Sequence, residues 1–160
     1  MRARKAARHE AGLTAALDRL RSVDPNNSDA VWQATFEVLA WLYLCEEAEE
    51  RHDVVAYRAD CRATEDGRSL AGLIWLRGLV VHEQADFDDV APVPVTWGGE
   101  PVTWSGEPVT WGVEFVWRAR GDLPWRDPAK DERVEMYEAH VESDGLLPPL
   151  ERAHRYLLSR

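Results

Sequence analysis

"AVWQATFEVLAWLYLC", residues 30–45, is the stretch on which the fold turns. Val31, Trp32, Thr35, Phe36, Val38, Leu39, Trp41, Leu42, Tyr43 and Cys45 cover most of the circumference of one helix. A helix apolar on so many sides is expected at the centre of a bundle. Gln33 and Glu37 interrupt the run, which argues against a membrane span. Asn27 or Ser28 is the expected cap, and the helix is expected to reach about residue 51. The following "EEAEERHD" is expected to be a solvated, fraying end, because four glutamates near a helix C-terminus oppose its dipole.

Upstream, residues 3–22 set Leu13, Leu17 and Leu20 on one stripe of an Ala-rich helix that "SVDPNNSD" terminates. Downstream, a short helix over 54–63 leads into "TEDGRS", expected to form a turn and cap. "LAGLIWLRGLVVHEQADF" then predicts a second core helix from about 68 to 85, carrying Leu70, Leu73, Ile74, Leu76, Leu79 and Val80 inward. Beyond "DFDDVAP" the composition shifts to Val, Thr, Trp, Pro and Gly, and "VEFVWRAR" alternates like a strand. Helix is expected again over "DPAKDERVEMYEAHVES", with Asp127 as cap and Pro128 at the first helical position. A last helix, "PLERAHRYLLSR", opens at Pro148 and Pro149. The expected fold is mainly α: a helical bundle with a small Trp/Pro-rich β or loop insertion and two C-terminal helices. One domain is expected across 1–160, with the bundle over 3–88, the insertion over 89–120 and the terminal helices over 121–160.

A chain of 160 residues buries about two thirds of its unfolded surface, so it folds without disulfide or metal staples. Cys45 and Cys61 lie in apolar, helix-like surroundings without CxxC spacing and are expected as reduced, buried thiols. The basic start "MRARKAARHE" is not followed by a signal-type apolar core, so a soluble, cytoplasmic protein without membrane attachment is expected. The net charge of −10 is uneven. Residues 1–23 carry six basic and two acidic groups, 24–92 five and fifteen, and 93–160 eight and twelve. Such a balance disfavours nonspecific nucleic-acid binding, although Arg outnumbers Lys 17 to 2 and offers a planar fork to phosphate.

No GxSxG, Gly-rich phosphate loop or HExxH is present, so a hydrolase elbow, a nucleotide fold and a zincin have no motif. "RGLVVH", Arg77 to His82, stands out because it places a cation and a titratable ring in a core-packing helix, where an unsolvated charge must be paired or used. Five positions along a helix is about 140° of rotation, so the two side chains do not share a face. Arg77 pairing with Glu83 or with an acid of the second helix, and His82 as a satisfied core histidine, is the structural alternative. His82 and Asp86 at i, i+4, with Asp88 and Asp89 beyond, also leave a divalent-cation site geometrically open.

With four helices ending in Arg-x4-His after "GRSLAGLIWL", residues 3–88 resemble the HEPN superfamily, whose members are often metal-independent ribonucleases of toxin–antitoxin, abortive-infection and CRISPR-associated systems. The resemblance implies that Arg77 and His82 carry the activity without cofactor or metal and that a homodimer brings two such pairs into one cleft. It also implies RNA as substrate and an antitoxin or other protein as partner. In that scheme the RNA 2′-hydroxyl attacks its own phosphorus, His82 moves the proton and Arg77 receives the developing charge. Gly78 departs from the family pattern, which usually has Asn, Asp or His there.

The phrase PVTW-x-x-E occurs three times over 94–114, bringing Trp97, Trp104 and Trp111 as candidate binding residues for bases, sugars or a protein. Along an unbroken strand a seven-residue period would send successive tryptophans to opposite faces. Pro94, Pro101 and Pro108 confine the segment to edges, turns or loops. Glu100, Glu107 and Glu114 beside them repel phosphate. A noncatalytic interaction protein, binding a partner through its acidic or Trp-rich surface, is therefore the alternative to the nuclease.

Overall fold

The computed structural model describes the backbone of residues 2–50, 53–83, 88–94, 96–97, 100–108, 110–123 and 132–160. Side chains are described for 7–50, 53–78, 96–97, 100–106, 115–123 and 132–160. The described chain is mainly α, with α1 (Arg2–Ser22), α2 (Ser28–Glu50), α3 (Val54–Ala63), α4 (Glu65–Glu83), α5 (Arg133–His140) and α6 (Leu147–Leu158). Local chemistry explains the boundaries. Asn27 Oδ1 accepts from the Ala30 amide at 3.1 Å and caps α2. Asp53 Oδ1 accepts from Val55 and Ala56 at 3.1 and 3.0 Å and caps α3.

Thr64 ends α3 in extended backbone and starts α4 by accepting the Gly67 amide at 3.0 Å. The segment "TEDGRS" is thus already helical from Glu65, earlier than the expected 68. Its glycine serves close packing: a Cβ at Gly67 would lie 2.4 Å from the Cys61 carbonyl oxygen.

The core joins Leu13, Leu17 and Leu20 of α1, Val38, Leu39 and Leu42 of α2 and Leu70, Leu73 and Leu76 of α4 to Leu150, Ala153 and Leu157 of α6. A fully buried leucine stabilises by about 1.5–3 kcal/mol through apolar area alone. Two helices are central: α4 packs against α2, α3, α5 and α6, and α2 packs against α1, α3, α4 and α6. One side of α2 faces solvent, with Trp32 and Phe36 stacked on each other at 5.6 Å and 36% and 39% exposed. The C-terminal end of α2 also departs from a purely solvated one. Glu46 is buried, and Glu50 accepts from the Arg58 guanidinium at 2.8 Å. α5 stops at His140, short of the expected residue 143, because Ser143 turns into the left-handed region at φ 59° and its amide donates to the Trp117 carbonyl at 3.0 Å. The expected cap Asp127 and Pro128 lie outside the described residues.

Among the described residues, six strands lie between α4 and α5. β1 (Asp88–Pro94) pairs antiparallel with β6 (Thr110–Val116), with Val93 opposite Trp111 and Pro94 opposite Thr110. Between them lie β2 (Thr96–Trp97) with β3 (Glu100–Pro101), and β4 (Thr103–Trp104) with β5 (Glu107–Pro108), each a separate antiparallel pair. The chain therefore reverses inside each of the first two copies, in line with the edges, turns or loops to which the prolines confine the segment. In the second copy Ser105 and Gly106 take φ of 55° and 88°, the two positive angles of a type I′ turn. The third copy has Val113 where Gly106 stands, and a β-branched residue resists that angle. It runs on as strand β6.

The base of this arm is clamped between α5 and α6. Trp117 is fully buried and donates Nε1–H to the Leu146 carbonyl at 3.1 Å, and its backbone amide donates to Asp144 at 3.0 Å. Tyr137 Oη donates to the Arg118 carbonyl at 2.6 Å.

Candidate functional site

α4 carries both residues of the Arg-x4-His motif. Arg77 is half-buried, with its Cζ 3.8 Å from the centroid of the Tyr43 ring on α2. A guanidinium over an aromatic face is attracted by the negative face of the ring quadrupole. Arg77 makes no ion pair or hydrogen bond with any described residue, so the expected carboxylate of α2 is absent from its surroundings. Other arginines of the helices find acids: Arg21 on Glu151 at 2.9 Å, Arg58 on Glu50 at 2.8 Å, Arg155 on Asp66 at 3.0 Å and Arg160 on Asp60 at 2.8 Å. A Cβ built on Gly78 meets nothing within 4 Å, leaving open space beside Arg77.

His82 lies on the last turn of α4, and its imidazole is outside the described side chains, as are Leu79, Val80, Glu83, Asp86, Asp88 and Asp89. The structure brings Arg77 to Tyr43, a partner 34 positions earlier that no motif announced. Among the described residues no group of three or more His, Cys, Asp or Glu side chains has metal-binding placement, and no helix is long and apolar enough to cross a membrane.

Trp97 and Trp104 occupy equivalent places in the two small hairpins and are 85% and 79% exposed. The side chain of Trp111 lies outside the described set, while its backbone belongs to β6 and faces Val93. The three copies are thus not three equal sites.

A cavity of about 250 Å³ is lined by Glu46, Tyr57, Cys61, Arg62, Arg133 and Met136 among others. The Cys61 thiol donates to Tyr156 Oη at 3.4 Å, and the buried Tyr57 hydroxyl beside it makes no well-formed hydrogen bond. Burial pushes the Cys61 thiol and the Tyr57 phenol up from their ordinary ranges and pushes Cys45 up to about 12, so these groups stay protonated and unreactive near neutrality. Both cysteines are buried and free, as their apolar setting suggested.

Compared with known proteins, the chain matches no family model, no curated protein and no solved structure.

Proposed function

We propose that the protein is a HEPN-like, metal-independent endoribonuclease in which Arg77 and His82 carry the chemistry, in a toxin or phage-defence setting. One observation supports this reading above others: Arg77 is a half-buried guanidinium over an aromatic face that makes no ion pair or hydrogen bond with any described residue, in a chain of 29 acidic residues. A guanidinium fork beside the open space at Gly78 suits the nonbridging oxygens of a phosphodiester. Arg77 would stabilise charge on the phosphoryl oxygens while His82 removes the 2′-hydroxyl proton or protonates the leaving 5′-oxygen. The products are a 2′,3′-cyclic phosphate and a 5′-hydroxyl. A homodimer would bring two such pairs together.

The test is labelled RNA incubated in EDTA with the wild type, Arg77→Ala, Arg77→Lys and His82→Ala, folding being checked by circular dichroism. Loss of general acid–base catalysis lowers rates by roughly 10²-fold or more, and loss of a charge-stabilising donor by a similar factor. Arg77→Lys keeps the charge without the fork and is expected to recover only part of the rate. Folded wild type that cleaves nothing across a broad RNA panel, or cleavage unchanged in both alanine variants, removes the assignment.

A noncatalytic interaction protein is the second reading, favoured by the exposure of Trp97 and Trp104. Large apolar side chains so open to water commonly mark contact surfaces.

A further inference from the structure

Each of the two small hairpins places one tryptophan directly opposite one glutamate. The register pairs Trp97 with Glu100 and Trp104 with Glu107. Cross-strand partners of this kind share a face of the ribbon with Cβ atoms about 5 Å apart. Trp97 and Glu100 are both exposed, as is Trp104. An indole face beside a carboxylate is complementary to an alkylammonium or guanidinium group, since the ring quadrupole and the anion attract the same cation. The molecule uses the first half of that chemistry internally, with Arg77 over Tyr43 and Arg120 over Trp75 at 5.4 Å. Neither Trp97 nor Trp104 has a described guanidinium over it. The net charge of −10 and the glutamate in each copy oppose a polyphosphate on the same surface.

We propose that the repeat arm binds a basic polypeptide segment, each hairpin receiving one Lys or Arg side chain, the first between Trp97 and Glu100 and the second on Trp104. Two copies in tandem turn a weak single contact into a usable one, because the second engagement is intramolecular. The third copy, built into strand β6 by Val113, serves as the stem and not as a third receptor. This inference rests on the second reading above, deepens it by naming the partner's chemistry, and is independent of cleavage at Arg77 and His82.

The full chain is titrated with an (Arg-Gly)4 peptide, with (Glu-Gly)4 and with a single-stranded RNA of matched length. The indole N–H resonances of Trp97 and Trp104 are followed, assigned through Trp→Phe variants. The expected result is saturable movement of those two signals with the arginine peptide alone, weakened by added salt. Trp97→Ala, Trp104→Ala and Glu100→Gln are each expected to weaken binding by about two- to fivefold. Glu138→Gln, an exposed acid on α5, leaves it unchanged. Deleting residues 97–103, one period, removes one hairpin and weakens binding at least as much as Trp97→Ala, with helical circular dichroism confirming an intact bundle. Peptide that binds without moving the two indoles, Glu100→Gln indistinguishable from wild type, or indoles that respond to RNA in preference to the peptide would each overturn the proposal. Cleavage in EDTA is read on Arg77 and His82, so either reading can fail without the other.

Discussion

Gly72 and Gly78 sit six positions apart on α4 and have opposite reasons to be glycine. A Cβ on Gly72 would lie 2.8 Å from the Tyr137 Cα, where α4 and α5 touch backbone to backbone, whereas one on Gly78 meets nothing. Gly72→Ala is therefore expected to destabilise the protein through a clash with main chain that cannot rotate away, and Gly78→Ala to stabilise it by about 0.5–1 kcal/mol through helix propensity. Urea midpoints of the two variants on either side of wild type check this, and equal midpoints refute it. His154 offers a pH handle. Its Nε2 lies 2.9 Å from Thr14 Oγ1, and burial, aided by the Arg21 guanidinium, holds its pKa below the ordinary 6.5. His140 shifts the same way, by burial and then Arg68. The unfolded chain thus binds protons that the fold excludes, so stability is full above about pH 6.5 and falls as pH drops from there toward the lowered folded pKa values. Glu37, held below its ordinary 4.5 by Arg19, adds its own acid loss only lower down. His154→Gln is expected to flatten the decline in melting temperature between pH 7 and 5.5, and an unaltered slope counts against the assignment. At this scale the Arg-x4-His spacing and its apolar context can be read because both are local. Tyr43 cannot, because nothing in a sequence announces which ring a distant arginine meets.

Among the elements, helices are readable wherever apolar period and start signals agree, as Asn27 and Pro148 show. The all-round apolarity of α2 matches its packing against α1, α3, α4 and α6, but it hid which face stays open, since Trp32, Phe36 and Leu44 keep substantial exposure. The prolines of the Trp repeat point to edges, turns or loops, and the sixth letter decides which copies turn: Gly in the first two, Val in the third. Gly106→Val is therefore expected to abolish the second hairpin, since φ of 88° is closed to a β-branched residue. Loss of the turn's chemical shifts at Ser105, with the melting temperature unmoved, is the check. A native turn in that variant would refute the account. Arg152 ties elements together, donating to Ser69 Oγ of α4 at 2.8 Å, to the His140 carbonyl of α5 at 2.8 Å and to Asp144 Oδ2 at 2.7 Å. This largely buried guanidinium engages three acceptors, and Arg152→Ala is expected to cost about 2–3 kcal/mol, measured by denaturant titration.

For the whole molecule, the question is whether the arm and the bundle are one cooperative unit. Trp117, Phe115 and the 143–146 connection anchor the stem, and none of them belongs to the first two copies of the repeat. The core residues of α1, α2, α4 and α6 likewise lie elsewhere, and two-stranded hairpins in water are marginal by themselves. Deleting residues 94–107, two periods, puts Pro108 where Pro94 stood and leaves Pro108, Val109 and Thr110 to join Val93 to Trp111, preserving the pairing that begins the stem. Hairpin connections of three residues are common, so the chain closes without strain imposed on the bundle. For a chain of this size 1 kcal/mol moves the melting temperature by roughly 2–4 °C, and the deletion is expected to fall within that interval. Trp117→Ala, removing a fully buried indole and its bond to Leu146, is expected to cost about 3–5 kcal/mol and to lower the melting temperature well beyond it. A deletion as damaging as Trp117→Ala would make the array part of the core. The expected outcome instead leaves a folded protein without Trp97 and Trp104, in which RNA cleavage through Arg77 and His82 is retained while peptide binding is lost.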